Sequence, residues 1–585
     1  MKKHFHIAVA IFAATISQIA PCSAQTNILV TTPLAEQILL GNYNPADYAP
    51  AAAAPFFPAE LAAELEASIS PDSLKAYIIR LSEFRTRNSG SDTASATEGI
   101  GAARRWVHQK FEAFGAANSD RLVPSYLQFD LNICGAAQHR NIFAVLPGSN
   151  PASGTVLVEG HIDSRCDVLC DVNCRAEGVE DNATGTALVL ELARTMSRYQ
   201  FPNTVIFLVT IAEEQGLLGA DAFADYVQQK NIPLRAVLNN DVIGGILCGE
   251  TSSPPSCPGL DDVDSTSVRL FSSGGFNSKH KQLARFNKLQ YQENLLPTAT
   301  VPMNVRIMSP EDRTGRGGDH IPFREHGYPA MRFTSANEHG DASNGAGYDD
   351  RQHTSDDVLG ADTDGDGTVD SFFVDFNYLA RNTLINANAL AIAARGVAPA
   401  PNFTATKSGN MLTLNFDPPI DTHTIRIALR STTNDWDTVY TIGPAASDNL
   451  FCNPTGVVYV STAGVDAWGA ESLFSVEKIA MTSATDEPGK DQAEPNFRLF
   501  QNRPNPFDEA TWISFWVNEL PPASQSAVIE ISDLQGKIIQ KISVALQQGL
   551  NEVLYTHGYG VRGTFAYALV LGGKTVDARQ MIFAN

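Results

Sequence analysis

The chain has 585 residues, of which 43% are hydrophobic and 18% charged, a composition typical of globular proteins with length for several domains. Its formal net charge of −22 argues against nucleic acid and anionic membrane surfaces as partners, because both repel an acidic protein.

The N-terminal segment, residues 1–24, has the pattern of a secretory signal peptide. Basic Lys2 and Lys3 precede an apolar stretch from Ile7 to Ala20, and cleavage is expected after Ala24. The apolar stretch is short for a membrane span, which disfavours the alternative of an anchor helix. We therefore expect no transmembrane anchor and a mature protein that is secreted, either extracellular or on the cell surface.

Seven of the eight cysteines remain after the signal peptide is removed: Cys134, Cys166, Cys170, Cys174, Cys248, Cys257 and Cys452. An exported chain meets oxidising conditions, so disulfides are expected. The pair at 248 and 257 brackets a Pro/Ser/Gly loop that a disulfide would close. The three cysteines at 166, 170 and 174 also suit a soft-metal site. The odd total leaves one thiol free, and the sequence does not determine the pairing.

The first large domain is predicted over residues 70–397. Residues 25–69 are rich in Ala and Pro and contain one helical pattern, PAELAAELEA, so we interpret them as an N-terminal lead-in or pro-segment. From residue 70 the pattern predicts a helix that opens at Pro71, a second helix over TASATEGIGAARRWVHQKFEAF, and the strands LVPSYLQFDL and RNIFAVLPG. Strand, acidic loop and helix then alternate, which predicts an α/β domain with a doubly wound, mostly parallel sheet.

The segment DTDGDGTVD, near the end of this domain, matches the first nine positions of an EF-hand-type calcium loop. The bidentate Glu expected at position twelve is replaced by Phe373. The two interpretations are a structural calcium site and an acidic turn before a helix that starts near Ser371. The candidate calcium ligands are Asp362, Asp364, Asp366 and Asp370.

Two small β-sandwich domains are predicted after the α/β domain. Residues 398–482 contain short strands separated by Gly, Asn and Pro turns, and YVSTAGVDAWGAESLFS resembles the last strands of a fibronectin type III domain. Residues 483–495 are a linker by composition. Residues 496–585, through QNRPNPF and ISDLQGK, resemble the C-terminal sorting domain of type IX secretion substrates, which implies the type IX export machinery as a partner.

Histidine and carboxylates stand at the ends of three apolar runs in the α/β domain. These runs lead to His161 with Asp163, to Glu213 with Glu214, and to Asp241, and Asp181 lies in a loop before a helix. Singly, each is commonly a surface histidine, a solvated acid or a helix N-cap. Ligands bind beyond the carboxyl ends of parallel strands, and zinc prefers these side chains. Buried together without cations, the acids would be uncompensated, so we predict a metal site.

The motifs GHIDS, EDNATG, AEEQGLLGA, NND and HTSDD resemble, in order and spacing, the co-catalytic two-zinc aminopeptidase family of secreted metallo-exopeptidases. The resemblance covers about residues 70–396 and implies two Zn²⁺ per chain, peptide substrates and a zinc exopeptidase-like fold. It implies that His161 and Asp241 bind one zinc, Glu214 and His353 bind the other, Asp181 bridges both, Glu213 is the general base for a metal-bridged hydroxide, and Asp163 orients His161.

Two further histidines fit parts of this pattern. His339 lies close enough in sequence to compete with His353 as a ligand, but HTSDD is the better match. His320, in GGDHIPF, fits a structural or pocket position. Other functions remain open: a carboxypeptidase or dipeptidase with the same two-metal chemistry, a glutaminyl cyclase on a related fold with one zinc, and a non-catalytic binding protein.

Overall fold

The computed structural model describes residues 25–583 except 50–56, 248–262, 275–277, 309–310, 313–316, 338–350, 397–401, 409–410, 417–421, 432–434, 444–446, 452–457, 481–495, 508–509, 522–526, 534–536 and 558–562. The predicted signal peptide, the loop between Cys248 and Cys257, His339, Cys452 and the predicted linker all lie outside the described residues.

The first domain is built on a nine-stranded sheet with the order β1-β2-β3-β5-β4-β6-β9-β7-β8. Its strands are β1 Thr26–Val30, β2 Val123–Ile133, β3 Ala136–Leu146, β4 Thr155–His161, β5 Thr204–Thr210, β6 Leu234–Asn240, β7 Ser267–Phe271, β8 Asn304–Ile307 and β9 Ala330–Ser335. The four central strands, β5, β4, β6 and β9, are parallel, and β4 and β5 are buried along their whole length. Such runs are hydrophobic because both faces of the sheet are covered.

Nine α-helices surround this sheet in the described part of the chain. They are α1 Pro33–Leu39, α2 Pro58–Ser68, α3 Pro71–Ser82, α4 Gly99–Ala117, α5 Thr184–Met196, α6 Leu218–Gln229, α7 Lys279–Asn294, α8 His320–Glu325 and α9 Phe376–Arg395. Helices α5, α7 and α9 pack against the central strands, α3 packs on α5 and α9, and α6 and α8 form a second group. The predicted fold class is confirmed, with one refinement: the antiparallel pairs β1–β2, β2–β3, β3–β5 and β7–β9 make the sheet mixed rather than mostly parallel.

The ends of two helices show how local chemistry sets boundaries. Ser70 caps α3 by accepting a hydrogen bond from the Ser73 backbone N–H at 3.2 Å, with proline at the first helical position. Helix α4 starts at Gly99, six residues later than the pattern predicts from Thr93. The Asp92 carboxylate accepts the backbone N–H groups of residues 94 and 95, and these turn bonds compete with the helix.

The described residues of the predicted lead-in, 25–49 and 57–69, pack with the α/β sheet and its helices. Strand β1 pairs with β2 at the edge of the sheet, and buried side chains of α1 and α2, such as Ile38 and Leu65, belong to the main hydrophobic core. The domain limits and the pro-segment interpretation remain predictions.

Two sandwiches follow the α/β domain. The first has sheets β12-β13-β16 and β15-β14-β17-β18, formed by β12 Phe403–Ser408, β13 Met411–Phe416, β14 Thr424–Arg430, β15 Thr438–Ile442, β16 Ser447–Phe451, β17 Val458–Val465 and β18 Lys478–Ala480. The second has sheets β19-β20-β23 and β22-β21-β24-β25, formed by β19 Phe497–Leu499, β20 Ala510–Val517, β21 Ala527–Ser532, β22 Ile538–Val544, β23 Gly549–Thr556, β24 Gly563–Leu571 and β25 Lys574–Phe583. Each has its own apolar core.

The acidic segment from Asp362 forms an exposed turn between two short strands, β10 Gly360–Ala361 and β11 Ser371–Phe372. The helix expected near Ser371 begins instead at Phe376. Asp375 is its N-cap, accepting the backbone N–H groups of residues 377 and 378.

Two disulfides constrain a loop near the end of β4: one joins it to the β2–β3 hairpin and the other closes it on itself. Cys134 pairs with Cys170, and Cys166 pairs with Cys174. The expectation of disulfides is confirmed for these four residues, and the soft-metal interpretation is wrong because all three closely spaced cysteines are used in disulfides.

Candidate metal centre

Three of the predicted motifs meet at one edge of the sheet because their strands are parallel neighbours. His161 is the last residue of β4 and is paired in register with Thr210, the last residue of β5. Glu213 and Glu214 follow in the turn after β5, and Asp241 follows directly after β6. The carboxyl ends of parallel strands lie at the same edge, so these side chains converge there.

The EDNATG motif, which contains Asp181, reaches this edge through a close contact between β4 and α5. A Cβ atom on Gly160 would lie 2.8 Å from the carbonyl carbon of Gly185, so two glycines let the start of α5 approach the strand. The preceding turn, residues 179–183, thereby brings Asp181 next to His161. His353 arrives from a distant segment, in a backbone conformation with φ of 61°.

The five predicted ligands form one cluster. Asp181 Oδ1 lies 3.1 Å from His161 Nε2, and Asp181 Oδ2 lies 3.0 Å from His353 Nε2. The Asp241 Oδ1 atom is 3.3 Å from His161 Nε2, and the Glu214 Oε2 atom is 3.2 Å from His353 Nε2. The two oxygens of Asp181 therefore face two different histidines, the arrangement expected of a carboxylate that bridges two cations.

The cluster fits a pair of metal ions on chemical grounds. Donor atoms of His161, Glu213 and Asp241, and those of Asp181, Glu214 and His353, lie within 4.8 Å of one another in each trio. Glu214 Oε1 is buried with no hydrogen-bond partner in the described structure. Imidazole nitrogens and carboxylate oxygens are the donor types that Zn²⁺ prefers, and buried acids of this density need compensating cations.

The direction of the pKa shifts of His161 and His353 also indicates that this location favours positive charge. Although burial alone would lower it, the Glu213 carboxylate and hydrogen bonds to Asp163, Asp181 and Asp241 raise the pKa of His161 well above its usual range. Glu214 and Asp181 likewise raise the pKa of His353 against the effect of burial. Burial would raise the pKa of Asp181, but hydrogen bonds from both imidazoles hold it well below its usual range.

Glu213, the predicted general base, lies beside the His161 trio. Burial raises the pKa of its carboxyl well above the usual range; His161 opposes this shift, and Asp241 and Glu214 add to it. Burial likewise raises the pKa of Glu214 to about 7. Bound cations would act in the opposite direction and favour the ionised forms.

Asp163, predicted to orient His161, makes its nearest contact with that ring through the backbone. Its carbonyl oxygen is 3.1 Å from His161 Nδ1, whereas its carboxylate is 3.6 Å away. The carboxylate accepts the backbone N–H groups of Glu213 and Glu214 at 3.3 and 3.2 Å. Asp163 therefore contacts both the first and the third motif and fixes their relative position.

Three residues that the sequence analysis did not single out also contact the cluster. Asp357 accepts the backbone N–H groups of Glu180 and Asp181 at 2.8 and 3.0 Å. Arg165 Nε donates to Glu214 Oε2 at 2.8 Å, and its Nη2 lies 2.7 Å from His353 Nδ1. Arg332 Nη2 lies 3.2 Å from Asp241 Oδ2. The sequence contains signals that could have identified two of them. Asp357 is the last residue of the HTSDD motif, and Arg332 is a charged residue within the apolar run of a buried strand.

The remaining predicted residues lie elsewhere. His320 is fully buried on α8 and is not in either donor trio; burial lowers its pKa to about 3. Asp362, Asp364 and Asp370 form a third, exposed group whose donor atoms lie within 4.8 Å of one another, and Asp366 is not in that group. Asp362 already accepts the backbone N–H groups of Gly365 and Gly367.

Comparison with known proteins agrees with this geometry. Residues 141–370 match the model of peptidase family M28. A probable zinc metalloprotease of Leptosphaeria maculans is 31% identical over 330 residues, which cover 54% of this chain and 73% of that protein. One from Pyrenophora tritici-repentis is 30% identical over 406 residues, which cover 66% of this chain and 90% of that protein.

Two solved structures are similar at low sequence identity. The LapA aminopeptidase of Legionella pneumophila is 18% identical, with a TM-score of 0.40, over 57% of this chain and 74% of that one. A glutaminyl cyclase of Fimbriiglobus ruber is 16% identical, with a TM-score of 0.36, over 55% of this chain and 95% of that one. From the family model and the curated relatives, the chain is a metallopeptidase that belongs to peptidase family M28.

Proposed function

We propose that the protein is a secreted zinc-dependent aminopeptidase that removes N-terminal residues from peptides. The observation that carries this proposal is the position of Asp181, whose two carboxylate oxygens lie 3.1 and 3.0 Å from His161 Nε2 and His353 Nε2. His161 and Asp241 would hold one zinc ion, Glu214 and His353 the other, and Asp181 both. When bound, such ions supply Lewis-acid activation of water and of the peptide carbonyl.

Glu213 is the proton-transfer group of this proposal. Its carboxylate takes a proton from the attacking water and delivers it to the amine that leaves when the peptide bond breaks. Asp163 holds the backbone of Glu213 and Glu214 in place through two hydrogen bonds. Glu214 faces His353 while Glu213 lies with His161 and Asp241, which gives two adjacent acids different tasks.

The charges around the centre favour a substrate with a free amine over one with a free carboxylate. Among the described residues, Arg165 is a partly exposed cation at the site, and it is already engaged by Glu214 and His353 and by the backbone oxygens of Cys166 and Asp167. A free substrate carboxylate would therefore have to displace these partners of Arg165. This supports an aminopeptidase over a carboxypeptidase.

The test uses the mature protein and three substrate classes: aminoacyl-anilides, N-blocked peptides and peptides that differ only at the C-terminus. We expect zinc-dependent cleavage of the free-amine substrates and its loss with a chelator. Cleavage confined to blocked peptides would reject the aminopeptidase and favour a carboxypeptidase. Cyclisation of N-terminal glutamine with a single zinc per chain would identify a glutaminyl cyclase, and zinc binding without turnover would indicate a binding protein.

The exposed acidic turn supports a second, structural proposal: that Asp362, Asp364 and Asp370 bind calcium. Hard carboxylate oxygens at this spacing suit Ca²⁺. We expect the melting temperature of the zinc-loaded protein to rise with added calcium and to fall on its selective removal, and Asp364→Asn to abolish that response. Identical melting temperatures with and without calcium would reject the calcium site and favour the interpretation as an acidic turn.

In this proposal the two β-sandwich domains take no part in the chemistry, and the second one directs export. The first would be a fibronectin type III domain, and the second, through QNRPNPF and ISDLQGK, would be recognised by the type IX export machinery. Deleting residues 496–585 should retain the protein inside a producing cell that has this machinery. Undiminished export of the shortened chain would contradict the assignment.

A further inference from the structure

We propose that Arg332 is a positioning residue of the metal centre: its guanidinium group fixes the carboxylate of Asp241 so that one oxygen faces His161, and it thereby sets the affinity of that zinc site. This inference rests on the proposed two-zinc function. It assigns a role to a buried cation that none of the five sequence motifs contains.

The location of Arg332 is unusual for an arginine. It lies in β9, a strand of six buried residues, and it is itself 2% exposed. Its register partner on β6 is Asn239, two residues before Asp241. The backbone N–H of Asp241 also donates to the Phe333 carbonyl oxygen at 3.2 Å, so β9 holds both the backbone and the side chain of this ligand.

The contacts of the guanidinium group join Asp241 to the loop that precedes α8. Arg332 Nη2 lies 3.2 Å from Asp241 Oδ2, while Oδ1 of the same carboxylate lies 3.3 Å from His161 Nε2. Arg332 Nη1 donates to Asp312 Oδ2 at 2.7 Å and to the Gly317 carbonyl oxygen at 2.7 Å. The side chains of Asp241 and Asp312 are 5% and 3% exposed.

The two oxygens of the Asp241 carboxylate therefore contact different partners: Oδ2 contacts Arg332 and Oδ1 contacts His161. A planar guanidinium with donors in a fixed fork orients a carboxylate in a way that a single ammonium does not. With Oδ2 held by Arg332, rotation of the carboxylate is restricted and Oδ1 stays directed at His161 Nε2, where it would be available to a metal ion. Partners of metal ligands typically contribute about 10- to 100-fold in metal affinity or activity.

The test measures zinc directly, by competition with a chromophoric chelator, for wild type, Arg332→Lys and Arg332→Gln. We expect Arg332→Gln to lower zinc affinity at one of the two sites by about 10- to 100-fold and to leave the other near its wild-type value. Arg332→Lys keeps the positive charge but loses the forked donors of the guanidinium group. Its zinc affinity should therefore lie between those of wild type and Arg332→Gln. Asp312→Asn, which leaves Asp241 and Arg332 in place, should produce a smaller loss and keeps the test available if Arg332→Gln does not fold.

The matched control is Arg269→Gln, which replaces a fully buried arginine on the adjacent strand β7 whose Nε donates to the Ser335 carbonyl oxygen. It should keep both zinc affinities. Wild-type affinity in Arg332→Gln, or an equal zinc loss in Arg269→Gln, would overturn the inference, because the effect would then be absent or merely structural. A wild-type protein that binds two zinc ions but cleaves no peptide contradicts the proposed function alone.

Discussion

At the residue scale, the positive charge that the two histidines favour explains how several acids can lie close together in the centre. Asp181 is held ionised by the two imidazoles, and each imidazole is in turn favoured in its charged form by the acids around it. A buried cluster of acids and histidines is stable only if metal cations lie between the donor atoms or if some of the side chains are protonated. Metal binding and the protonation of these residues are therefore linked, and zinc affinity should fall as the pH is lowered.

At the residue scale, the first prediction concerns Glu213. Glu213→Gln removes the proposed proton-transfer group but leaves the five proposed ligands unchanged. We expect zinc content to be retained and kcat to fall by about 10²- to 10⁴-fold, the usual contribution of a general base. Steady-state kinetics with zinc analysis measures both. Glu112→Gln, an exposed position on α4, is the control, and an unaltered kcat in Glu213→Gln would remove it as the base.

A second prediction tests the support of Asp181, the proposed bridging residue. Asp357→Asn replaces one of two oxygens that accept the backbone N–H groups of Glu180 and Asp181, and it places an NH₂ group against a donor. An unsatisfied buried donor costs about 1–3 kcal/mol, so we expect lower stability and weaker zinc retention. Asp356→Asn, at the adjacent exposed position, should change neither quantity. Equal effects of the two substitutions in thermal melts and zinc analysis would contradict this role.

At the scale of elements, the loop that follows β4 is constrained by covalent bonds rather than by a large core. Cys166–Cys174 closes the loop on itself, and Cys134–Cys170 connects it to the β2–β3 hairpin. Arg165 lies at its start and contacts Glu214 and His353. Val168 and Leu169 are 65% and 42% exposed, so the loop buries little of its apolar surface, and the disulfides must hold it beside the metal centre.

The third prediction follows from the different spans of these disulfides. Their sequence separations are 36 and 8 residues. Constraint of the unfolded chain predicts a loss of about 4 kcal/mol for Cys134→Ser with Cys170→Ser and of about 2.5 kcal/mol for Cys166→Ser with Cys174→Ser. Denaturant unfolding of the two double variants measures the difference. The reverse order would show that contacts in the folded loop dominate.

At the scale of the whole molecule, the first β-sandwich is fixed to the peptidase domain by buried ion pairs. Glu477, which precedes β18, pairs with Arg285 of α7 at 3.2 Å and with Arg430 of β14 at 2.6 Å. Gln290 of α7 donates to Glu471 at 2.6 Å. Ala428, Ala463 and Phe474 of the sandwich belong to the same apolar cluster as the peptidase core. The two domains should therefore unfold together.

The fourth prediction is a pH dependence of this interface. Burial would raise the pKa of Glu477, but Arg285 and Arg430 lower it from 4.5 to about 2. A folded-state pKa below the unfolded value gives stability that is complete above about pH 4.5 and is lost as the pH falls towards 2, with a magnitude of about 3 kcal/mol. Glu477→Gln should lower the free energy of unfolding at pH 7 and flatten its dependence across this window. Glu293→Gln, at an exposed ion pair, should behave as wild type; an unchanged slope in Glu477→Gln would contradict the prediction.

The sequence by itself determined the fold class and brought the candidate ligands to attention, because both depend on local pattern. Buried parallel strands appear as apolar runs, and His161, Glu213 and Asp241 stand where those runs end. The first sandwich was predicted on the same basis, from short strands separated by turn residues, whereas the second was predicted from its resemblance to a sorting domain. The burial of a strand and the turn that ends it depend on short stretches of neighbouring residues, which can be read directly from a single sequence.

The tertiary structure alone decided which oxygens face which histidines and which side chains support them. The proximity of Asp181 to His353, the disulfide pairing, and the contacts of Arg332 and Asp357 join segments far apart in the chain. Strand order and the approach of Gly160 to Gly185 create these contacts, and neither leaves a local signature. Packing of the whole chain therefore decides how the acids at the strand ends are divided between two candidate metal positions.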